Sequence, residues 1–226
     1  MRMKRTVEPK VLYFGTPVVL ISSANPDGTT NLAPMSSAWW LGYTAMLGMA
    51  TSSQTVKNLR ERPELVLNLV EPDMVAALDR IALLTGSEEM SESKRARGYR
   101  YVPDKFAAGG LTREPSELSG PDSVQESPIN LEGRIETIRE IGGPDSHLCA
   151  LEMKVERVRV RENLLMSNDR YIDPLRWDPL IMKFTEYFAG GAPAYPSSLA
   201  RGWQMPPLTQ LPSSAHGSPS VAGSGA

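Results

Sequence analysis

Hydroxyl and amide side chains crowd the stretch from Asn31 to Asn58, where Asn31, Ser36, Ser37, Thr51, Ser52, Ser53, Thr55 and Asn58 flank the adjacent tryptophans Trp39 and Trp40. With no fixed countercharge, such groups suit an uncharged or anionic ligand held by hydrogen bonds. The run "TSSQTVKNL" sets hydroxyls and backbone N–H groups at the start of a helix, with Lys57 and Arg60 one turn in. Free donors at a helix N-terminus favour an anion, so a phosphate at Ser53 to Asn58 is chemically natural. Taken alone the run is also that of an ordinary capped helix with solvated basic residues. "NLAPMSSAWW" is open in the same way: a polar turn before an aromatic core strand, or a strand end facing a ligand.

Other chemistries are poorly provided for. The chain has two histidines and one cysteine, Cys149, so a metal cage or a Cys-His pair is not expected. Neither GxGxxG nor GxxxxGK occurs, which removes the sequence signs of a dinucleotide crevice and of a P-loop. The 24 basic and 26 acidic residues leave a formal charge of −2 without a long basic run, so nucleic acid is not an expected partner. The early apolar run "VLYFGTPVVLI" is broken by Gly15 and Pro17 and is far from the roughly 20 apolar residues of a membrane span. A single cysteine allows no internal disulfide and fits a reducing compartment, so a cytoplasmic protein is expected.

The elements that must position these groups are short strands. "PVVLISSA" is β-branched and apolar, and "NPDGTT" supplies turn chemistry for a hairpin returning through "NLAPMSSAWW". "TAMLGMA" and "ELVLNLV" follow, with a one- or two-turn helix between them that Ser53 or Thr55 can cap and that ends before Pro63. "DMVAALDRIALLTG" has helical spacing with Asp73 as cap and Gly86 as stop, and "SESKRARG" is a short charged helix ending at Gly98. "INLEGRIETIREI" and "LCALEMKVERVRVREN" resume the strands, the second with a bulge at Glu156 and Arg157. Connections this short favour antiparallel pairing. The expected organisation is an arm over 1–10, one domain over 11–203 and a disordered Pro/Ser/Gly-rich tail over 204–226.

In order, "TPVVLISS", "DGTTNLAPMSSAWW", "LGMATSSQTVKNLRERPELVLNLV", "GYRYVPDKFAAGGLT", "QESPINLEGRIE" and "SHLCALEMKVERV" resemble the flavin reductase-like family of FMN-binding split-barrel proteins, which includes the flavoredoxins. The resemblance covers roughly residues 11 to 188. It implies a mainly β fold, an antiparallel Greek-key split barrel with a few inserted helices, and FMN as cofactor. Carried over by position, it sets Asn31, Ser36, Ser37 and Trp39 at the flavin ring edge. Thr51, Ser52, Ser53, Thr55 and Asn58 fall to the ribityl phosphate segment. Lys105 and Phe106 in "DKFAAGGL" match a signature whose lysine approaches the cofactor. His147 and Phe184 match a histidine and a late aromatic beside the ring, and Glu126 in "QESP" belongs to the signature as a ligand neighbour or a loop-ordering carboxylate. Where many members carry a Pro-Pro pair after the Ser-rich strand, this chain has "LGYTAM".

The resemblance further implies a homodimer with the cleft near the interface. It implies an oxidoreductase in which NADH or NADPH reduces FMN and electrons pass to free flavin or a small acceptor. A flavoredoxin-like carrier serving a redox partner protein, and a flavin-free binding module, are the alternatives. No catalytic acid or base is assigned.

Overall fold

The computed structural model describes residues 3–118, 120–143, 145–166, 170–194, 197, 199 and 205. The chain divides into a body of residues 1–190 and a second unit of residues 191–226, of which only a few residues are described. The tail expected over 204–226 lies outside the described residues apart from Met205.

In chain order the strands are β1 (Phe14–Pro17), β2 (Val19–Ala24), β3 (Thr30–Met35), β4 (Ala38–Leu41), β5 (Thr44–Ala50), β6 (Glu64–Leu69), β7 (Leu84–Thr85), β8 (Arg100–Tyr101), β9 (Arg113–Glu114), β10 (Ser123–Val124), β11 (Ile129–Ile141), β12 (Leu148–Val160), β13 (Ile181–Lys183) and β14 (Glu186–Phe188). The helices are α1 (Gln54–Glu61), α2 (Val75–Ala82), α3 (Glu92–Ala96) and α4 (Lys105–Gly109). Seven strands form one antiparallel sheet in the order β3-β2-β6-β11-β12-β5-β4.

That order forces the sheet to curl. Its two edge strands, β3 and β4, are consecutive in the chain and joined only by Ser36 and Ser37. Three Cα steps reach at most about 11 Å, so the edges must approach one another. "NLAPMSSAWW", expected as one returning strand, is thus two strands at opposite edges with the two serines bridging the seam. The Gly48 N–H donates to Ser37 O at 2.8 Å and holds the bridge against β5.

Alternation along β2 explains where the cores sit. Val19 and Ile21 pack inside the barrel with Leu47, Leu65, Leu67, Leu151 and Met153. Val18 and Leu20 point the other way and join Leu32, Leu78, Ile81 and Phe106 beneath α2 and α4. A strand buried on both faces therefore reads as a continuous apolar run. The bulge in β12 falls at Glu156, where Glu132 pairs with Arg157 and Gly133 with Val155, and a second irregularity skips Glu136 in β11.

Local signals fix the helices. Ser53 caps α1, its Oγ accepting from Val56 N at 3.2 Å, and Ser91 caps α3 in the same way through Lys94 N. Asp73 does not cap α2; it lies in a 3-10 turn over Pro72–Met74, and the helix ends at Ala82, four residues before Gly86. α4 was not foreseen. Asp104 accepts from Ala107 N at 3.1 Å, and Gly110 closes the helix in the left-handed region at φ 61°.

Candidate functional site

α4 delivers Lys105 to the floor of a cleft. The side chain is only 3% exposed, and Nζ donates to Leu32 O at 2.6 Å and to Asn31 Oδ1 at 3.0 Å. Asn31, on β3, is buried and turns its Nδ2 towards Thr55 Oγ1 at 3.3 Å and Ser23 Oγ at 3.4 Å. β2, β3, α1 and α4 are thereby tied at one point. Burial, with the nearby charge of Lys94 as the smaller cause, lowers the Lys105 pKa to about 8.

Around that floor lies a cavity of about 240 Å³ lined by Ala33, Pro34 and Met35 of β3, Ser53, Gln54 and Thr55 at the start of α1, Thr85 and Gly86 after α2, and Lys94, Arg97 and Tyr99 near α3. A second cavity of about 300 Å³ shares Pro34, Met35, Ala82 and Tyr99 with it and adds Tyr13, Ser36, Met182 and Tyr187. The two form one cleft beside the barrel seam, polar and cationic at the α1 end, aromatic and thioether-rich at the other. Among the described residues no aspartate or glutamate lines either cavity.

The first turn of α1 adds donors. Ser53 Oγ takes the N–H of Val56 and Ser53 O that of Lys57, and among the described residues nothing accepts from those of Gln54 and Thr55. Lys94 is half-buried, with Nζ 5.7 Å from the Tyr99 ring centroid, and Arg97 stands 6.0 Å from the same ring. Burial foremost, then the charges of Arg97 and Lys57, hold the Lys94 pKa below its usual value.

Of the residues singled out from sequence, Asn31, Ser53, Thr55 and Lys105 line the first cavity and Ser36 the second. Ser37 stands at the seam, its hydroxyl 3.4 Å from the Tyr13 hydroxyl. Thr51 and Ser52 form the turn before α1; the Thr51 N–H donates to His147 O at 2.9 Å, so His147 sits against that turn with its side chain exposed. Asn58 is saturated within the protein: Nδ2 donates to Ser23 Oγ and Asn25 Oδ1, and Oδ1 accepts from Gln54 Nε2 at 2.8 Å. Trp39 is 57% exposed on the edge strand, whereas Trp40 packs against the barrel core. Phe106 is fully buried under α2, with the Arg113 guanidinium 4.5 Å over its ring, and lines neither cavity. Phe184, in the β13–β14 turn, packs edge-on against Phe14 at 5.4 Å and donates its N–H to Tyr13 O. Glu126 accepts from Thr112 N with both oxygens and orders the loop after α4.

Pro34, Met35, Gln54, Lys94, Arg97, Tyr99, Met182 and Tyr187 were not foreseen as lining. The available signal for Lys94 and Arg97 was "SKRARGY", a basic run ending on an aromatic residue, which reads equally as a solvated helix. Among the described residues no group of three or more metal-ligating side chains occurs, and no helix is long and apolar enough to cross a membrane.

A curled antiparallel sheet with a seam-side cleft is the split-barrel architecture of flavin proteins, and solved structures match it. Flavoredoxin of Desulfovibrio vulgaris (Miyazaki F) superposes with a TM-score of 0.71 at 21% identity, covering 88% of this chain and all of that one. Flavoredoxin from Methanosarcina acetivorans gives 0.70 at 18% identity, covering 90% and 100%, and nitrilotriacetate monooxygenase component B from Bacillus cereus gives 0.66 at 18%, covering 84% and 98%. At these identities the likeness establishes the fold. Residues 11–190 match the flavin reductase like domain, and the chain belongs to that family. The uncharacterized protein YdfE of Bacillus subtilis (strain 168) is 33% identical over 190 residues, covering 84% of this chain and 91% of the relative. Membership makes the protein a flavin-related oxidoreductase.

Proposed function

We propose that the protein is an FMN-dependent oxidoreductase of the flavin reductase type, oxidising NADH or NADPH and passing electrons to free flavin or a small acceptor in the cytoplasm. The observation that carries this reading is the buried Lys105–Asn31 pair at the floor of a cleft that holds cations and, among the described residues, no carboxylate.

The residues fit the cofactor. A phosphate matches the Gln54 and Thr55 N–H groups, the hydroxyls of Ser53 and Thr55, and the cations above them. A flat ring matches Pro34, Met35, Tyr99, Met182 and Tyr187, with a hydrogen-bonding group at Ser36. Bound there, FMN supplies the hydride and electron chemistry. Lys105 supplies a positive charge in a site of low polarity, where it stabilises negative charge more strongly than it would in water. The Asn31 amide fixes the direction of that ammonium, and the protein needs no separate general acid or base.

Homodimerisation belongs to the same proposal. β4 is an edge of the main sheet and carries Trp39 and Leu41, 57% and 76% exposed, beside Tyr43 at the hairpin tip. An apolar edge of this kind is a ready surface for a second copy.

The test is an absorbance spectrum of the purified protein, then anaerobic addition of NADH and of NADPH. A flavin spectrum that bleaches with either nucleotide is the expected result. A flavin that accepts electrons from dithionite but from neither nucleotide would move the protein to the carrier class. Absence of flavin after incubation with excess FMN would overturn the cofactor.

A further inference from the structure

Lys105 occupies an unfavourable place. It is the first residue of α4, where the helix dipole presents its positive end, and its ammonium is buried against two neutral oxygens. Left unrestrained, such a side chain gains by turning its charge out to water. A helix of five residues supplies little restraint of its own, because so short a segment forms only where caps and packing hold it. Two arginines hold α4, one at each end. At the first, Asp104 caps the helix through Ala107 N, and Arg113 Nη2 donates to the same Oδ1 at 2.7 Å with its guanidinium 4.5 Å from the centroid of the buried Phe106 ring. At the second, Arg80 in the last turn of α2 donates Nη2 to Gly109 O at 2.6 Å. That carbonyl closes α4, where oxygens lack helical donors and carry the negative end of the dipole, so a guanidinium is the complementary cap. Neither arginine lines either cavity of the cleft.

We infer that Arg80 and Arg113 are positioning residues: by fixing α4 at its two ends they keep the Lys105 ammonium on the cleft floor, and so set how strongly the site favours reduced over oxidised flavin. The redox half of the inference rests on the flavin reading; the placement of Lys105 rests on the geometry of α4 alone. Arg80 is exposed, and the Arg113–Asp104 pair is nearly half exposed, so neither contact adds much to global stability. Their loss should therefore disturb Lys105 more than it disturbs the fold.

The test measures the midpoint potential of the FMN-loaded protein at pH 7 in wild type, Arg80→Gln, Arg113→Gln, Lys105→Met, and each Gln variant combined with Lys105→Met. Each Gln variant should lower the ratio of affinities for reduced and oxidised flavin at least tenfold, a fall of about 30 mV for a two-electron couple. In the Lys105→Met background the same substitution should change that ratio by less than twofold, because the route it acts through is gone. A fall that persists without Lys105 is the direct field of the missing guanidinium, and no fall in either background leaves a helix cap alone; either outcome overturns the inference for that arginine. Arg80→Lys, which can still donate to Gly109 O, should restore the potential. Thermal unfolding monitors the fold, and where Arg113→Gln is unstable, Arg113→Lys, which keeps the charge without the fork, repeats the comparison. If wild type binds no flavin, the flavin reading falls by itself and carbon-13 NMR of the lysine Cε groups decides the placement, with Lys105→Met assigning the signal. Lys105 should titrate near pH 8 in wild type and move towards 10.5 in each Gln variant as its ammonium reaches water. An unchanged titration overturns the inference.

Discussion

Lys105 and Asn31, 74 residues apart in the chain, meet at 3.0 Å in the interior, and the ammonium finds only neutral acceptors there. A lysine in that position is charged at a cost. Its folded pKa of about 8 lies below the ordinary 10.5, so the unfolded chain holds the proton more firmly. Between about pH 8 and 10.5 the unfolded state binds more protons, and stability rises with pH through that window. Below it the penalty is fully present. Relative to Lys105→Met, wild type should gain on the order of 3 kcal/mol between pH 7.5 and 10.5, at about 1.4 kcal/mol per pH unit. Urea unfolding of both proteins at several pH values measures it; parallel pH profiles would show that Lys105 is not the cause. Lys105→Met should also weaken flavin binding at pH 7, with the difference shrinking above pH 8 as the wild-type ammonium deprotonates.

Gly86 controls the same pair from the other side. A Cβ placed there would lie 2.3 Å from Asn31 Oδ1, the atom that accepts from Lys105. The Asn31 side chain is pinned by Ser23, Thr55 and Lys105 and has little room to turn. Gly86→Ala should therefore destabilise by about 1–3 kcal/mol, the usual range for overpacking, and weaken flavin binding by displacing Asn31. A variant with wild-type melting temperature and flavin affinity would show that the amide can swing clear.

His147 and Phe184 are the two described non-glycine residues with positive φ, at 52° and 55°. Both were singled out by family resemblance, and strained backbone tends to gather at functional sites. Glycine relieves the strain but adds freedom to the unfolded chain, each effect being worth about 1 kcal/mol. His147→Gly and Phe184→Gly should each stay within about 1 kcal/mol of wild type in stability while lowering flavin affinity. Unchanged affinity in both would reduce these residues to turn formers.

Local chemistry made much of the fold legible. Asn-Pro and Asp-Gly marked the β2–β3 hairpin, Ser53 marked the start of α1, and the alternation of Leu151, Met153 and Val155 marked β12 up to its bulge. The split of "NLAPMSSAWW" into β3 and β4 was hidden, because pairing partners are a property of the whole sheet and not of a strand's own pattern. α4 spans five residues, too few for a helical period, and only Asp104 and Gly110 announce it. Within the site, residue type identified the polar wall but not which groups remain free: Asn58 spends its amide on Ser23 and Asn25, more than 30 residues away. Phe106 follows Lys105 directly, and a helix turns the two side chains to different faces, one to the cleft and one to the core. The cationic wall at Lys94 and Arg97 depends on α3 and the start of α1 lining one cavity, which no local pattern encodes.

The barrel rests on a further glycine far from the cleft. Gly133 lies beside the β12 bulge in β11, where a Cβ would come within 2.0 Å of Lys154 O and 3.0 Å of the Met153 methyl. The obstructing oxygen is backbone in a paired strand, so it cannot swing aside as a side chain can. β11 pairs with both β6 and β12 at this point, Gly133 opposite Leu65 and Val155, and relief would require parting the central ladder. Gly133→Ala should therefore cost more than the usual 1–3 kcal/mol of overpacking, enough to exhaust a good part of a stability of about 5–15 kcal/mol. Insoluble or poorly folded protein, or a fall of 10 °C or more in melting temperature, is the expected outcome. The comparison variant is Gly143→Ala in the exposed β11–β12 turn, where nothing lies within 4 Å and the penalty is confined to its positive φ of 88°. If the two variants melt together, the bulge has rearranged to admit the methyl group, and the close approach of β11 to β12 is not what requires glycine there.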